Sequence, residues 1–252
     1  MSKRFKDKTC IYCLTNPSIR SGDHVFAREF FLEARRANLP KVPACDNCNN
    51  DKSSLEHYLT AVLPFGGRHR DALVNLRTMV PDRLGNNARL QRALASGTTT
   101  ELTEEMPGAR VPTIALPFDS DRLHRLFAYI VRGLLWHHWR VTLTADHDAA
   151  IMSLTKFGES TYSQFLGMNA RNRVRADIGG GTFLYEGAQG TDYPEFSIWA
   201  FCIYGGVKLS GDPTAPQEEV SRVGAITASK SFLRSPAFTT SFGLPGGTAN
   251  SG

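Results

Sequence analysis

Four of the five cysteines fall into two short clips, Cys10-Ile11-Tyr12-Cys13 and Cys45-Asp46-Asn47-Cys48, with 31 residues between them. A C-x-x-C turn presents two thiolates one metal edge apart, and two such turns complete a tetrahedral S4 site, the arrangement zinc prefers. A closed S4 site leaves no position for water, so zinc held there is expected to be structural rather than catalytic. Cys202 stands alone in an apolar stretch and reads as a core residue. The segment between the clips carries Asp23-His24, and the second clip runs straight into Asn49-Asn50-Asp51-Lys52-Ser53. An isolated Asp-His pair is usually structural. This one sits in a loop whose ends a metal would tie together, which changes its meaning.

The joint pattern resembles the HNH endonuclease family, in its zinc-stapled ββα-metal branch. Three stretches carry the resemblance: the CIYC clip, DHVF (23–26) at the place of the family's acidic-His-[IV]-x strand, and CDNCNNDKS (45–53) at its C-x-x-C-N-x-x-[KFG]-S helix start. They lie within residues 8–60, about a quarter of the chain. The resemblance implies that His24 is a general base and that Asp23 and Asn49 hold one divalent cation. Carboxylate and amide oxygens are hard donors, suited to magnesium or manganese with several retained waters. A neutral imidazole can take a proton from water near neutral pH while the metal stabilises the leaving oxygen. The implied activity is hydrolysis of phosphodiester bonds in nucleic acid, DNA before RNA, in a bacterial or phage setting.

The chain departs from the family after the histidine. There the family has a short hairpin with a Gly-rich or Asn-bearing loop, commonly introduced by a proline. Here AREFFLEARRANLPKVP (27–43) reads as partly helical, and Asn38 is the only asparagine available to fix the loop and the histidine. Asn50 competes with Asn49 if the following helix shifts its register by one.

A helix from Cys48 to Val62 offers a separate check. Counting about 100° per residue from Asn49, Ser53 falls near +40°, Glu56 near −20° and Lys52 near −60°. Leu55, Leu59 and Val62 fall on the opposite face. Polar groups should therefore face the site and leucines a core. Glu56 is expected as a supporting or additional metal ligand, Lys52 against a phosphate, and His57 in the core or on the surface. Arg35, Arg36, Lys41 and Lys52 are the expected contacts to a nucleic-acid backbone. The rival reading, from another class, is a non-catalytic zinc module that binds nucleic acid or protein through the same basic surface.

These residues must be positioned by elements the rest of the chain supplies. Hydrophobic residues make up 41% of the 252, enough to bury a core and too many for a disordered chain. Residues 1–54 carry ten Lys or Arg against six Asp or Glu, four of the five net positive charges, so the basic end is the end with the motifs. No apolar run reaches the ~18 residues of a membrane span, and MSKRFKDKTCIYC has no apolar signal core. A cytoplasmic protein with reduced thiols is expected. Pro64, Gly66 and Gly67 in LPFGGRHRD place a boundary after residue 63. The expected organisation is a zinc-stapled ββα module (1–63), a larger α+β domain of unknown role (64–240) and a flexible tail (241–252). Within the second domain a helical region covers 71–96, interrupted near VPDRLG. Leu123, Phe127, Ile130 and Leu134 mark a helix over 120–140. RVRADIGGGTFLYEG reads as two strands joined by a glycine turn, and EFSIWAFCIYGGVKLSG (195–211) as a strand buried on both faces. His137 and His138 point about 100° apart on a helix and read as core or interface groups.

Overall fold

Strands β1 (Gly22–His24) and β2 (Lys41–Pro43) pair antiparallel, with Asp23 opposite Val42 and His24 opposite Lys41. Helix α1 (Asp46–Gly66) follows at once. This computed structural model describes residues 5, 8–15, 22–106, 108–154, 156–169, 172–207 and 222–238, so the expected tail lies outside the described residues. The segment joining β1 to β2 forms two 3-10 turns, Arg28–Phe30 and Glu33–Arg35, and buries Phe30 and Phe31 completely. Asn38 takes a left-handed backbone (φ 59°) in the tight turn that follows.

Cys45 caps α1, its Sγ accepting from the Cys48 N–H. Leu55, Leu59 and Val62 are buried, as the helical phase requires, and His57 is exposed. Pro64 does not end the helix. Proline lacks an N–H, which leaves the Thr60 carbonyl without its helical donor. Arg83 supplies the missing bond, Nη1 to Thr60 O at 2.9 Å. The helix then stops at Gly67, and the backbone N–H groups of Arg68 and His69 both donate to Tyr204 O at 2.7 Å. GGRHRD is therefore pinned to the sheet domain. Arg83 itself belongs to VPDRLG, which forms a short helix of its own: α2 (Arg70–Thr78), α3 (Val80–Gly85) and α4 (Ala88–Gly97) run in succession.

A two-stranded hairpin, β3 (Thr99–Met106) and β4 (Ala109–Ala115), precedes the central helix α5 (Ser120–Trp139). Asp119 caps α5 through the Arg122 N–H, and Arg140 closes it in the left-handed region. The expected apolar stripe of α5 is fully buried. A five-stranded antiparallel sheet completes the chain: β5 (His147–Leu154), β6 (Arg173–Ile178), β7 (Phe183–Gln189), β8 (Ser197–Ile203) and β9 (Arg222–Ser229), in the order β5-β9-β8-β7-β6. The glycine turn joins β6 to β7 with φ of 75°, 63° and 91° at Gly179, Gly180 and Gly181. The apolar strand expected at 195–211 is β8, third of the five and buried on both faces.

One sheet face packs on α5 and on the N-terminal segment; Phe26 lies tilted against Phe183 (4.7 Å) and Phe127 edge-on against Phe201 (5.1 Å). The other face meets α6 (Lys156–Met168), α7 (Lys230–Leu233) and Phe238 around Met152, Ile198 and Ile226. The architecture is α+β, and residues on both sides of position 63 contribute to one core.

Candidate functional site

The four clip cysteines converge although 31 residues separate the two pairs. Their sulfurs all lie within 4.8 Å of one another, and Cys13 Sγ is 3.7 Å from Cys45 Sγ. A tetrahedral site with Zn–S bonds of about 2.3 Å has S–S edges of about 3.8 Å. The spacing fits a metal such as zinc, and it is far too long for a disulfide. Burial disfavours the Cys13 thiolate, but hydrogen bonds with Thr15 and the neighbouring thiols outweigh it and bring that thiol to about 6, while burial pushes the Cys10 and Cys48 thiols up. Anionic sulfur is the form a metal takes.

The clips bracket β1, where Asp23 and His24 sit side by side. Adjacent strand residues point to opposite faces. Asp23 turns inward, 8% exposed, and His24 is half-buried opposite the exposed Lys41. Burial, then the Lys41 charge, lowers the His24 pKa below the ordinary imidazole value. The shift favours the neutral ring, the form a base requires.

Asp23 is tightly held. Its Oδ2 accepts from the Tyr12 hydroxyl (2.8 Å) and meets the Lys52 ammonium at 3.1 Å. Lys52, 0% exposed, also donates to the His24 carbonyl (2.6 Å) and to Glu56 Oε1 (2.6 Å). Burial raises Glu56 to about 7 against the pull of Lys52. Burial, and then the Asp23 charge, push Tyr12 well above the ordinary phenol range, so its hydroxyl stays a donor. Asn49 lies one helical turn before Lys52, half-exposed, with its own N–H bonded to Cys45 O.

The expected cation ligands therefore retain usable oxygens. The Tyr12 and Lys52 contacts to Asp23 both fall on Oδ2, and among the described residues no protein group hydrogen-bonds the Asn49 side chain. One carboxylate oxygen and one amide oxygen suit a hard cation that keeps most of its waters.

Other expectations need correction. Lys52 cannot meet a phosphate, because it has no exposed surface. Arg35 bonds Asp71 Oδ2 (3.1 Å) and the Gly179 carbonyl (2.5 Å); Arg36 bonds the Phe31 carbonyl (3.0 Å). These guanidiniums are used inside the fold, and of the four expected backbone contacts Lys41 alone is exposed. Asn38 is exposed and its contribution is a left-handed turn, rather than a hydrogen bond that orients His24. His138, held near pKa 4 by burial and by His137, bonds the Tyr185 hydroxyl at 2.9 Å, a core role as expected.

Sequence reasoning missed Tyr12. Its place inside the CIYC clip was the available signal, since whatever fixes the two thiols also fixes the residue between them. It missed Arg132 of α5 as well, which holds the Tyr12 carbonyl at 3.1 Å. Compared with known proteins, the chain matches no family model, no curated protein and no solved structure.

Proposed function

We propose that this chain is a metal-dependent endonuclease of the HNH type that hydrolyses phosphodiester bonds of nucleic acid, DNA before RNA. One observation carries the reading: Lys52 ties α1, which carries Asn49 in its first turn, to the strand that carries Asp23 and His24, and the thiol cluster joins the two clips on either side of that strand. His24 takes the proton of the attacking water on a ring nitrogen as the phosphorus–oxygen bond to the leaving group breaks. Asp23 and Asn49 would hold magnesium or manganese, which supplies charge stabilisation at the phosphate and the leaving oxygen. The thiol cluster, loaded with zinc, holds the loop before β1 against the start of α1.

The test is nicking of supercoiled plasmid with magnesium or manganese, wild type beside His24→Ala, at equal zinc content. A general base contributes roughly 10²–10⁴-fold, so His24→Ala should cut at least about a hundredfold more slowly. Equal cutting by both would sink the assignment of His24.

A second reading has its own support. Asp23 is already neutralised by Lys52 and Tyr12, as in a purely structural module that binds nucleic acid or protein through its surface. That reading expects no cutting by wild type on plasmid, single-stranded DNA or RNA, and unchanged binding in His24→Ala.

A further inference from the structure

The site contains an ammonium with no access to solvent. A buried charge is costly unless it is paired and hydrogen-bonded on every side. Lys52 meets that demand with the Asp23 carboxylate, the Glu56 carboxylate and the main-chain carbonyl of His24. Two of these three partners belong to the Asp23-His24 pair. With Tyr12, Lys52 also completes two donors on Asp23 Oδ2 before any divalent ion arrives. The same ammonium links α1 to β1, so the helix that carries Asn49 and the strand that carries His24 are set against each other through one atom.

We propose, resting on the nuclease reading above, that Lys52 is the positioning residue of this site. Its ammonium fixes Asp23 and the His24 backbone in the metal-free protein, and it opposes the incoming cation by like-charge repulsion at Asp23. The geometry is then set by the protein rather than by the metal, and the cation binds more weakly than it would to Asp23 alone. A phosphate-contacting lysine needs exposure, which Lys52 lacks. A merely structural lysine would affect stability and leave metal affinity and maximal rate alone.

The experiment uses the zinc-loaded full chain. Manganese binding is followed by electron paramagnetic resonance, and plasmid nicking is measured at saturating manganese, for wild type, Lys52→Met and Lys52→Arg. Lys52→Met leaves two buried carboxylates unpaired, so Lys52→Met with Glu56→Gln serves where the single variant loses its fold or its zinc. The expected result is manganese bound several-fold to roughly tenfold more tightly without the ammonium. The maximal rate should fall by at least about thirtyfold, because small misplacement of a reacting group is costly. Lys52→Arg keeps the charge and should hold manganese affinity near the wild-type value. Unchanged manganese affinity in the lysine-free variants, or an unchanged maximal rate, overturns the proposal. If wild type cuts nothing, the nuclease reading fails while the manganese arm still decides: tighter binding in Lys52→Met upholds the hold on Asp23, and unchanged binding removes it.

Discussion

Arg35 and Lys41 are both basic residues of the segment around β1 and β2, and burial separates their roles. Arg35 spans from the 3-10 turn to Asp71 in α2 and to the glycine turn between β6 and β7. Asp71 is 1% exposed, its Oδ2 also accepts from the Thr182 hydroxyl (2.7 Å), and its Oδ1 has no hydrogen bond. Removing the guanidinium leaves the buried carboxylate to Arg70, whose exposed Nε stands 3.7 Å from Oδ1. Breaking a fully buried pair costs about 3–5 kcal/mol. Arg35 is partly exposed, so Arg35→Ala should cost about 2–3 kcal/mol and lower the melting temperature by several degrees. It should leave the salt dependence of nucleic-acid binding unaltered. Lys41→Ala should do the reverse: stability nearly unchanged, and the slope of log affinity against log salt reduced by about one contact. Thermal unfolding and fluorescence anisotropy on a labelled duplex at several salt concentrations separate the two. A flattened salt slope in Arg35→Ala would mean that the tie to Asp71 opens when nucleic acid binds.

At the scale of elements, α5 approaches the segment bearing His24 more closely than any side chain allows. A Cβ on Gly133 would stand 2.9 Å from Val25 Cγ2, and Val25, the residue after His24, is itself completely buried. Gly133→Ala gains about 1 kcal/mol of helix propensity. Overpacking a rigid β-branched neighbour costs about 1–3 kcal/mol, so the clash should win. The variant should melt several degrees lower, and Val25→Ala in the same chain should restore part of the loss; a double-mutant cycle that shows simple additivity would rule the contact out. This approach was not legible in the sequence, where Gly133 is one glycine inside an otherwise regular apolar stripe. What could be read was periodicity. Leu55, Leu59 and Val62 fixed the phase of α1, and Leu123, Phe127, Ile130 and Leu134 that of α5, because apolar spacing reports directly which face is buried. The burial of Lys52 could not be read the same way. It depends on Asp23 arriving from a strand 29 residues earlier, and only tertiary pairing makes an ammonium an interior group. Pro64 misled for a related reason: its broken helical bond is repaired by Arg83, a residue of another helix.

For the whole molecule, the question is whether the thiol cluster stabilises a local knuckle or the entire chain. The loop that carries Cys10 and Cys13 also carries Ile11 and Tyr12, and all but Cys13 are buried. Tyr12 packs edge-on against Tyr129 of α5 at 4.8 Å, and α5 in turn packs on the sheet through Phe127. Ile11 and Tyr12 therefore share a core with Trp199, far along the chain. A ligand that binds the folded state alone stabilises every part of a cooperative unit to the same extent. Removing the metal should lower the melting temperature of the sheet as much as that of the knuckle. Cobalt in place of zinc makes this visible, because its thiolate bands report the cluster while the near-ultraviolet circular dichroism of Trp136, Trp139 and Trp199 reports the rest. On titration with a chelator near the melting temperature, the two signals should disappear with one midpoint. Tryptophan signals that survive the loss of the cobalt bands would show the segment before residue 63 coming apart by itself, and the shared core would then contribute too little to couple them.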